Sequence, residues 1–462
     1  MFYYPKFTQS KTKNMKQTTT LLCILFLSFA GFSQDKNFDL SKYKFPDYKR
    51  HELELNFNSS GRSDSYYTEM PQPNNTDITK YDRTEFSSNT YFNLGYRYEN
   101  LTRKRIDHLL STITGQYDYS NSSHFEDKTK QVQPIFSWNL NGLRRTYLTE
   151  DKFFLEGITD LQFYYSEDKT TNSGNTNFYK SGYLAVSAGM GIGIGRLERV
   201  NDLWQGYYIL EKLKQQNSLV RKLQEKDIFE FASFVSKLKN KRFFDARLQK
   251  IAELQSLDSL LNQQNLIRNG DISYFTTLND YWSFPIYFDR KSGRELKFQL
   301  LPEFIREYSK SSNSASDSPT KTNLVSKLQF DCSKQLNLFW ERNVHLEFAN
   351  TTLLAKNDDV SDSYPGNFFR TNAMFGYGFF PDSRTRLKLS GNYSGFEGLN
   401  YNGEIVSKYW MNNFSLNIEA NYYISPQLQV TGSLSGNYWF SKHNSYQRNS
   451  TNFNLGLHYA IF

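Results

Sequence analysis

The sequence predicts an all-β transmembrane fold, an antiparallel up-and-down β-barrel of about 14 strands with a small α-helical insert. Three observations predict it. In the last hairpins, Ser407 to Phe462, residues Leu428, Val430, Leu434, Tyr438 and Phe440 alternate with Gln429, Thr431, Ser433, Ser435 and Asn437, giving an extended strand with one apolar and one polar face. Leu416, Ile418, Ala420 and Tyr422 do the same before it, and Phe453, Leu455, Leu457, Tyr459 and Ile461 after it. Each run holds about ten alternating residues, enough to cross a hydrocarbon layer at a tilt of about 45°, whereas soluble strands run about 5–6 residues. Finally, 39 Phe and 33 Tyr coexist with a negative mean hydropathy of −0.67. A barrel needs only every second residue apolar and places aromatic girdles at both interfaces.

The alternatives fail on the same grounds. A helical membrane protein needs apolar runs of about 18 residues or more, and none follows residue 34. Lys and Arg exceed Asp and Glu by a formal +8, but the excess is spread along the chain, with no fold motif or basic stripe for nucleic acid.

Residues 1–14 read as an upstream extension and 15–33 as a secretory signal peptide, with Met15 and Lys16 before the apolar run Leu21 to Phe32. Its removal takes away Cys23 and leaves Cys332 alone, so no intramolecular disulfide forms. Residues 34–49 are a polar leader, and barrel strands 1–6 occupy 50–200. In the first, Leu53, Leu55 and Phe57 alternate with Glu52, Glu54 and Asn56. Gly61 to Arg83, Ser120 to Lys130 and Glu167 to Asn177 read as long polar loops, against tight connections at Leu101 to Lys104 and Arg144 to Asp151. The sixth strand sets Leu184, Val186, Ala188, Met190, Ile192 and Ile194 against a Ser and Gly face, which implies close backbone approach or a contact on the lumen side.

From 201 to 268 the apolar period becomes helical, with Leu203, Tyr207, Leu210 and Leu213, then Ile228, Phe231, Ala232, Val235 and Leu238, then Leu248, Ile251, Leu254, Leu257 and Leu261. This predicts an insert of three helices. Residues 269–294 read as an aromatic connector, and 295–462 carry strands 7–14. Long polar loops lie at Ser309 to Thr322, Lys356 to Gly366, Phe396 to Val406 and Ser441 to Ser450. Tight turns lie at Ser333 to Gln335, Pro381 to Ser383 and Ser425 with Pro426.

The signal peptide, the two-faced strands, the alternating loop lengths and the terminal Phe462 together make the chain resemble outer-membrane β-barrel proteins of Gram-negative bacteria. The Asn, Lys and Tyr rich style is similar to that of the Bacteroidetes group. Lys239 to Arg247 with Leu248 to Leu261 resembles helical inserts of uncharacterised barrels of that group. The resemblance implies a cell outer membrane location, with contacts to lipid and lipopolysaccharide and assembly by the barrel-assembly machinery. Its signal would be carried by Tyr459, Ile461 and Phe462, although Phe462 falls one step off the apolar phase. With the C-terminus periplasmic, every long loop lies outside and the helical insert lies in the periplasm.

Six histidines are scattered, without a Ser, Asp or second His at a suggestive spacing, and no metal or nucleotide motif appears. The expectation is no enzyme, no metal and no cofactor. The glycines from Gly189 to Gly195 end a strand rather than opening a dinucleotide fold, and read as packing. The informative residues are the polar ones on the inward phase: Glu52, Glu54, Arg97, Asp118, Glu156, Asp160, Asp331, Glu347, Lys388 and Glu419. They would line either a water-filled selective pore or a self-satisfied network of ion pairs. Arg342 falls on the outward phase and needs a bulge or an interfacial place. On the insert, Lys237, Lys239, Lys241, Arg242, Arg247 and Lys250 form a basic surface for a periplasmic protein, the cell wall or anionic headgroups, or simply a solvated helix face.

The leading expectation is a pore or transporter for small solutes, gated or plugged by loops or insert. The competing one is a membrane anchor whose insert binds periplasmic partners, and a distant third is an outer-membrane hydrolase.

Overall fold

The computed structural model describes residues 42–71, 78–124, 127–149, 152–240, 246–267, 272–284, 290–357, 366–399, 410–425, 428–441 and 446–459. The signal segment, Lys241, Arg242, Ile461 and Phe462 lie outside these residues.

Among the described residues fifteen strands form one sheet, and fourteen of them make a single up-and-down path. They are β1 Tyr48–Pro71, β2 Ile78–Leu101, β3 Arg105–His124, β4 Asp127–Tyr147, β5 Phe153–Asn172, β6 Asn175–Arg199, β7 Lys291–Ser311, β9 Thr320–Gln335, β10 Trp340–Lys356, β11 Asn367–Phe379, β12 Thr385–Leu399, β13 Met411–Tyr423, β14 Leu428–Ser441 and β15 Tyr446–Tyr459. The four-residue β8, Ser314–Asp317, pairs only with β7. Every pairing is antiparallel between chain neighbours along this path, which is the predicted topology. The edges are β1 and β15, which are not paired with each other among the described residues.

Constant register keeps the two faces separate from strand to strand. Leu55 pairs with Leu94, Ile192 with Phe298, Ile418 with Leu434, and Leu434 with Phe453. A slip of one residue anywhere would put this apolar set on the polar side. The apolar face is open to the surroundings: Leu53 is 69% exposed, Met190 73% and Phe453 73%.

The polar face is the concave one. Arg145 of β4 reaches Glu295 of β7 at 2.6 Å, although three strand spacings on a flat sheet amount to about 14 Å. Arg199 of β6 donates to the Tyr48 hydroxyl of β1 at 2.6 Å, five spacings or about 24 Å away on a flat sheet. Only a sheet curled toward its polar side brings these pairs together.

Several segments that read as loops are strand. β1 and β2 are each 24 residues long and continue through most of Gly61 to Arg83. The hairpins β3–β4 and β5–β6 likewise run on through Ser120 to Lys130 and Glu167 to Asn177. Alternation stops there because both faces meet water, while Ser, Thr and Tyr still suit a pleated ladder. Ser59 with Thr90 (3.1 Å) and Thr171 with Thr176 (3.0 Å) are cross-strand hydroxyl pairs of this kind. Ser173 and Gly174 close the β5–β6 hairpin with φ of 43° and 93°, the double positive φ that suits a tight two-residue hairpin turn.

Between β6 and β7 the described residues form four helices rather than three: α1 Asn201–Gln215, α2 Glu225–Asn240, α3 Ala246–Gln263 and α4 Ile272–Ser283. The fourth occupies part of the aromatic connector, where Tyr274, Thr277, Leu278 and Trp282 form its buried side. These helices have a conventional apolar core including Leu203, Trp204, Leu210, Phe231, Val235, Leu257 and Leu261. Tyr43, from the leader, is buried in it too.

Candidate functional site

The site is the concave polar wall and the mouth over which the helices lie. The deepest part of the wall is an ion cluster. The Arg145 guanidinium donates to Glu156 at 2.8 and 3.1 Å and to Glu295 at 2.6 and 3.0 Å. Its cationic centre sits 4.0 Å from the Phe154 ring centroid. Gln299 also donates to Glu156, and Lys297 lies 3.6 Å from Glu295. Arg145, Glu156, Gly191 and Gln299 stand in one row across β4, β5, β6 and β7.

The small face of β6 makes this convergence feasible. A Cβ on Gly191 would lie 2.9 Å from Glu156 Cγ and 3.0 Å from Gln299 Cγ, and one on Gly193 would overlap the Phe154 ring at 2.2 Å. The Ser and Gly pattern of the sixth strand is thus the floor under a buried cluster.

At the mouth, α1 crosses the tight turns. The Tyr208 hydroxyl donates to the carbonyl of Phe380 at 2.7 Å and lies 3.3 Å from that of Leu338, so one helix spans the β9–β10 and β11–β12 turns. Burial pushes the Tyr208 phenol up to about 12. Arg290, fully buried just before β7, lies between the rings of Trp204 at 4.5 Å and Phe380 at 4.2 Å. It donates to Gln335 at 2.6 Å and faces Glu341 at 3.5 Å. Arg384, in the β11–β12 turn, pairs with Asp280 of α4. On the opposite flank Arg103, beside β2, donates to Glu198 and to the Phe45 carbonyl.

All ten residues read as lumen-facing share the face of Arg145 by register. Glu52 pairs with Arg97 at 3.5 Å and with Arg50. Glu54 accepts from Asn56, and Asp118 from Asn89 and Gln116. Asp331 contacts His345 at 2.7 Å, and Glu347 faces Lys327 at 3.6 Å and Arg370 at 3.8 Å. Lys388 stands opposite Glu419 in register, but Glu419 is paired with Arg386 at 3.6 Å. Arg342 lies on the outward face two residues into β10, at the end of the strand rather than in a bulge.

Of the six basic residues of the insert, the side chains of Lys237, Lys239 and Lys250 are described. Lys239 turns inward, with its ammonium 2.7 Å from Asp202, and that carboxylate also takes the Ser236 hydroxyl. Asp202 is therefore a buried anchor for α2. Lys237 is exposed and Lys250 half-buried; Lys241, Arg242 and the Arg247 side chain lie outside what is described.

Sequence reading missed Arg145, Glu295, Lys297, Gln299, Arg290 and Tyr208. Arg145 and Glu295 continue the polar phase of Asn141 and Lys297, one step beyond where the apolar alternation ends. Phase alone would have found them, but not their pairing across three strands.

No family model and no curated relative matches the chain. Among solved structures, it is similar to the translocator domain of autotransporter NalP from Neisseria meningitidis, with 10% identity, 89% of this chain and 98% of that one covered, and a TM-score of 0.29. The transport unit of the autotransporter AIDA-I from Escherichia coli gives 11%, 92%, 94% and 0.24, and OccK7 from Pseudomonas aeruginosa 9%, 88%, 98% and 0.21. TM-scores this low leave the architecture to rest on strand pairing. That pairing establishes an antiparallel up-and-down sheet, curled around a polar wall and apolar on its outer side.

Proposed function

We propose that the chain is an outer-membrane β-barrel of the Bacteroidetes type, a pore or transporter for small solutes whose periplasmic mouth is covered by the helical insert. The observation that carries this is the inversion of the sheet, with charge and amide groups on the concave side and a broad belt of exposed Leu, Ile, Phe and Met on the convex side. A soluble sheet would bury that belt; hydrocarbon accepts it. Fourteen strands in an alternating path leave β1 and β15 antiparallel, so their edges can pair and close the ring. The outer belt then meets lipid and lipopolysaccharide, and the barrel-assembly machinery inserts the chain. The reading assigns it no enzymatic chemistry.

Planar-bilayer recording of the purified full chain tests this. Discrete ohmic openings are expected, more frequent in Arg384→Ala, which removes the ion pair between the turn and α4. Silence in both proteins would overturn the pore reading. The buried contacts of Arg290 and Tyr208 favour a second reading, in which the mouth stays shut and the barrel anchors an insert that binds a periplasmic protein or cell wall. Silent bilayers together with retention of the chain on isolated cell wall would support that reading instead.

A further inference from the structure

Above the Arg145 cluster the wall changes character in layers. The next inward residues are apolar: Leu143 and Ile158 are paired, and Leu301 is paired with Val325. Beyond them comes a row that runs Asn141, Asp160, Ser187, Glu303 and Asn323 across five neighbouring strands from β4 to β9. This stretch holds two carboxylates and no cation; the same row continues past Asn141 through Leu110 to Arg97, whose guanidinium faces Glu52 at 3.5 Å.

The nearest cations are engaged elsewhere. Arg145 is held by Glu156 and Glu295, Lys321 contacts Glu307 at 3.1 Å, and Lys327 faces Glu347. The apolar layer separates the row from Arg145 by two steps of the pleat, about 13 Å along the strand. Glu303 accepts a hydrogen bond from the Asn323 amide at 3.0 Å. An amide solvates a carboxylate without neutralising it. Two acceptors in the row are left over: Asp160 Oδ1 and Asn323 Oδ1 are buried without a donor among the described residues, and Asn323 as a whole is 3% exposed. A buried acceptor without a donor is costly, and a cation passing along the lumen is a group that can satisfy each in turn. Tyr183, opposite Glu307 in register, lies within electrostatic range of Asp160 and Glu303.

Resting on the pore reading, we infer that this row makes the lumen select cations, so that the solutes passed are small cations or carry net positive charge. Fixed carboxylates facing a confined aqueous space between low-dielectric walls raise the local cation concentration and exclude anions. The mechanism is electrostatic, so its selectivity weakens as salt rises and the Debye length falls from about 10 Å at 0.1 M to about 3 Å at 1 M.

The test is the reversal potential of single channels across a KCl gradient, in wild type and in Asp160→Asn/Glu303→Gln. Wild type is expected to favour K⁺ over Cl⁻ several-fold at low salt, with the ratio falling toward parity in the double variant and at high salt. Conducting wild-type channels that prefer Cl⁻, or show no preference at low salt, would overturn the inference and leave the pore reading intact. A conducting double variant with undiminished selectivity would overturn the role of the row. Silence of wild type and Arg384→Ala alike would remove the pore reading and the inference together.

Discussion

The sheet and the helical insert of this one chain obey opposite solvent rules. In the insert, Leu203, Leu210, Phe231 and Leu257 are fully buried, and charged side chains lie mostly outward. In the sheet, Leu53, Met190, Ile192 and Phe453 are exposed while Arg145, Glu156 and Glu295 are buried. The hydrophobic effect is the same in both, so the difference bears on what each part faces: the insert hides its apolar side as a water-exposed body resting on the strand turns does, and the sheet shows the pattern the proposed function requires, hydrocarbon outside and water inside.

The comparison is broken most severely by emptying the core of the insert. Trp204 is 1% exposed, and Trp204→Ala is expected to cost about 3–5 kcal/mol, as large-to-small core changes do. Hydrogen exchange would speed up in α1 to α4, with the sheet amides unchanged. Next comes a charge on the exposed belt. Met190→Arg would be harmless on a water-facing surface but is expected to cost about 2–4 kcal/mol near a bilayer midplane, seen as loss of the compact, heat-modifiable band in detergent gels.

A smaller effect separates two glycines of the sheet. Gly191→Ala pushes its methyl onto Glu156 and Gln299, whereas a Cβ on Gly391 meets nothing within 4 Å. The first is expected to cost about 1–3 kcal/mol and the second to stay within about 0.5 kcal/mol of wild type, measured by urea titration of detergent-solubilised protein.

The smallest effect is a pH dependence confined to the insert. The Arg221 guanidinium, hydrogen-bonded to Asp227 at 2.7 and 2.9 Å, holds that carboxyl below the usual carboxylate range, helped by the Gln224 backbone N–H at 2.9 Å. Because the folded value is depressed, Asp227 stabilises α2 fully at neutral pH, above its unfolded value of about 3.9, and that contribution fades as pH falls through the lower folded value. Asp227→Asn is expected to lower insert stability at neutral pH, with the difference from wild type shrinking below about pH 4.

The strands were legible wherever their two sides meet different solvents, because alternation records that contrast residue by residue. That the ten polar positions share one face, the small face of β6 and the first two helices followed from phase alone. Where both sides meet water the signal vanished, so Gly61 to Arg83 read as loop although it is mostly ladder. The helix Ile272–Ser283 was hidden because Tyr274, Phe275, Tyr281 and Trp282 read as an aromatic connector rather than one buried side. Arg290 and the inward turn of Lys239 depend on partners 45 and 37 residues away in sequence. Layering within the wall depends on register, and period two fixes the face but not the neighbour.

The most direct test is cysteine accessibility along β13 and β14 in intact membranes, with Cys332 replaced by Ser and single cysteines placed in turn at Leu416, Asn417, Ile418, Glu419, Ser433, Leu434 and Ser435. Labelling by a water-soluble maleimide should alternate, with Asn417, Glu419, Ser433 and Ser435 reactive. Leu416, Ile418 and Leu434 should be protected from it and open to lipid-borne quenchers. Uniform labelling, or labelling of the apolar positions by the water-soluble reagent, would contradict a wall with oil on one side and water on the other.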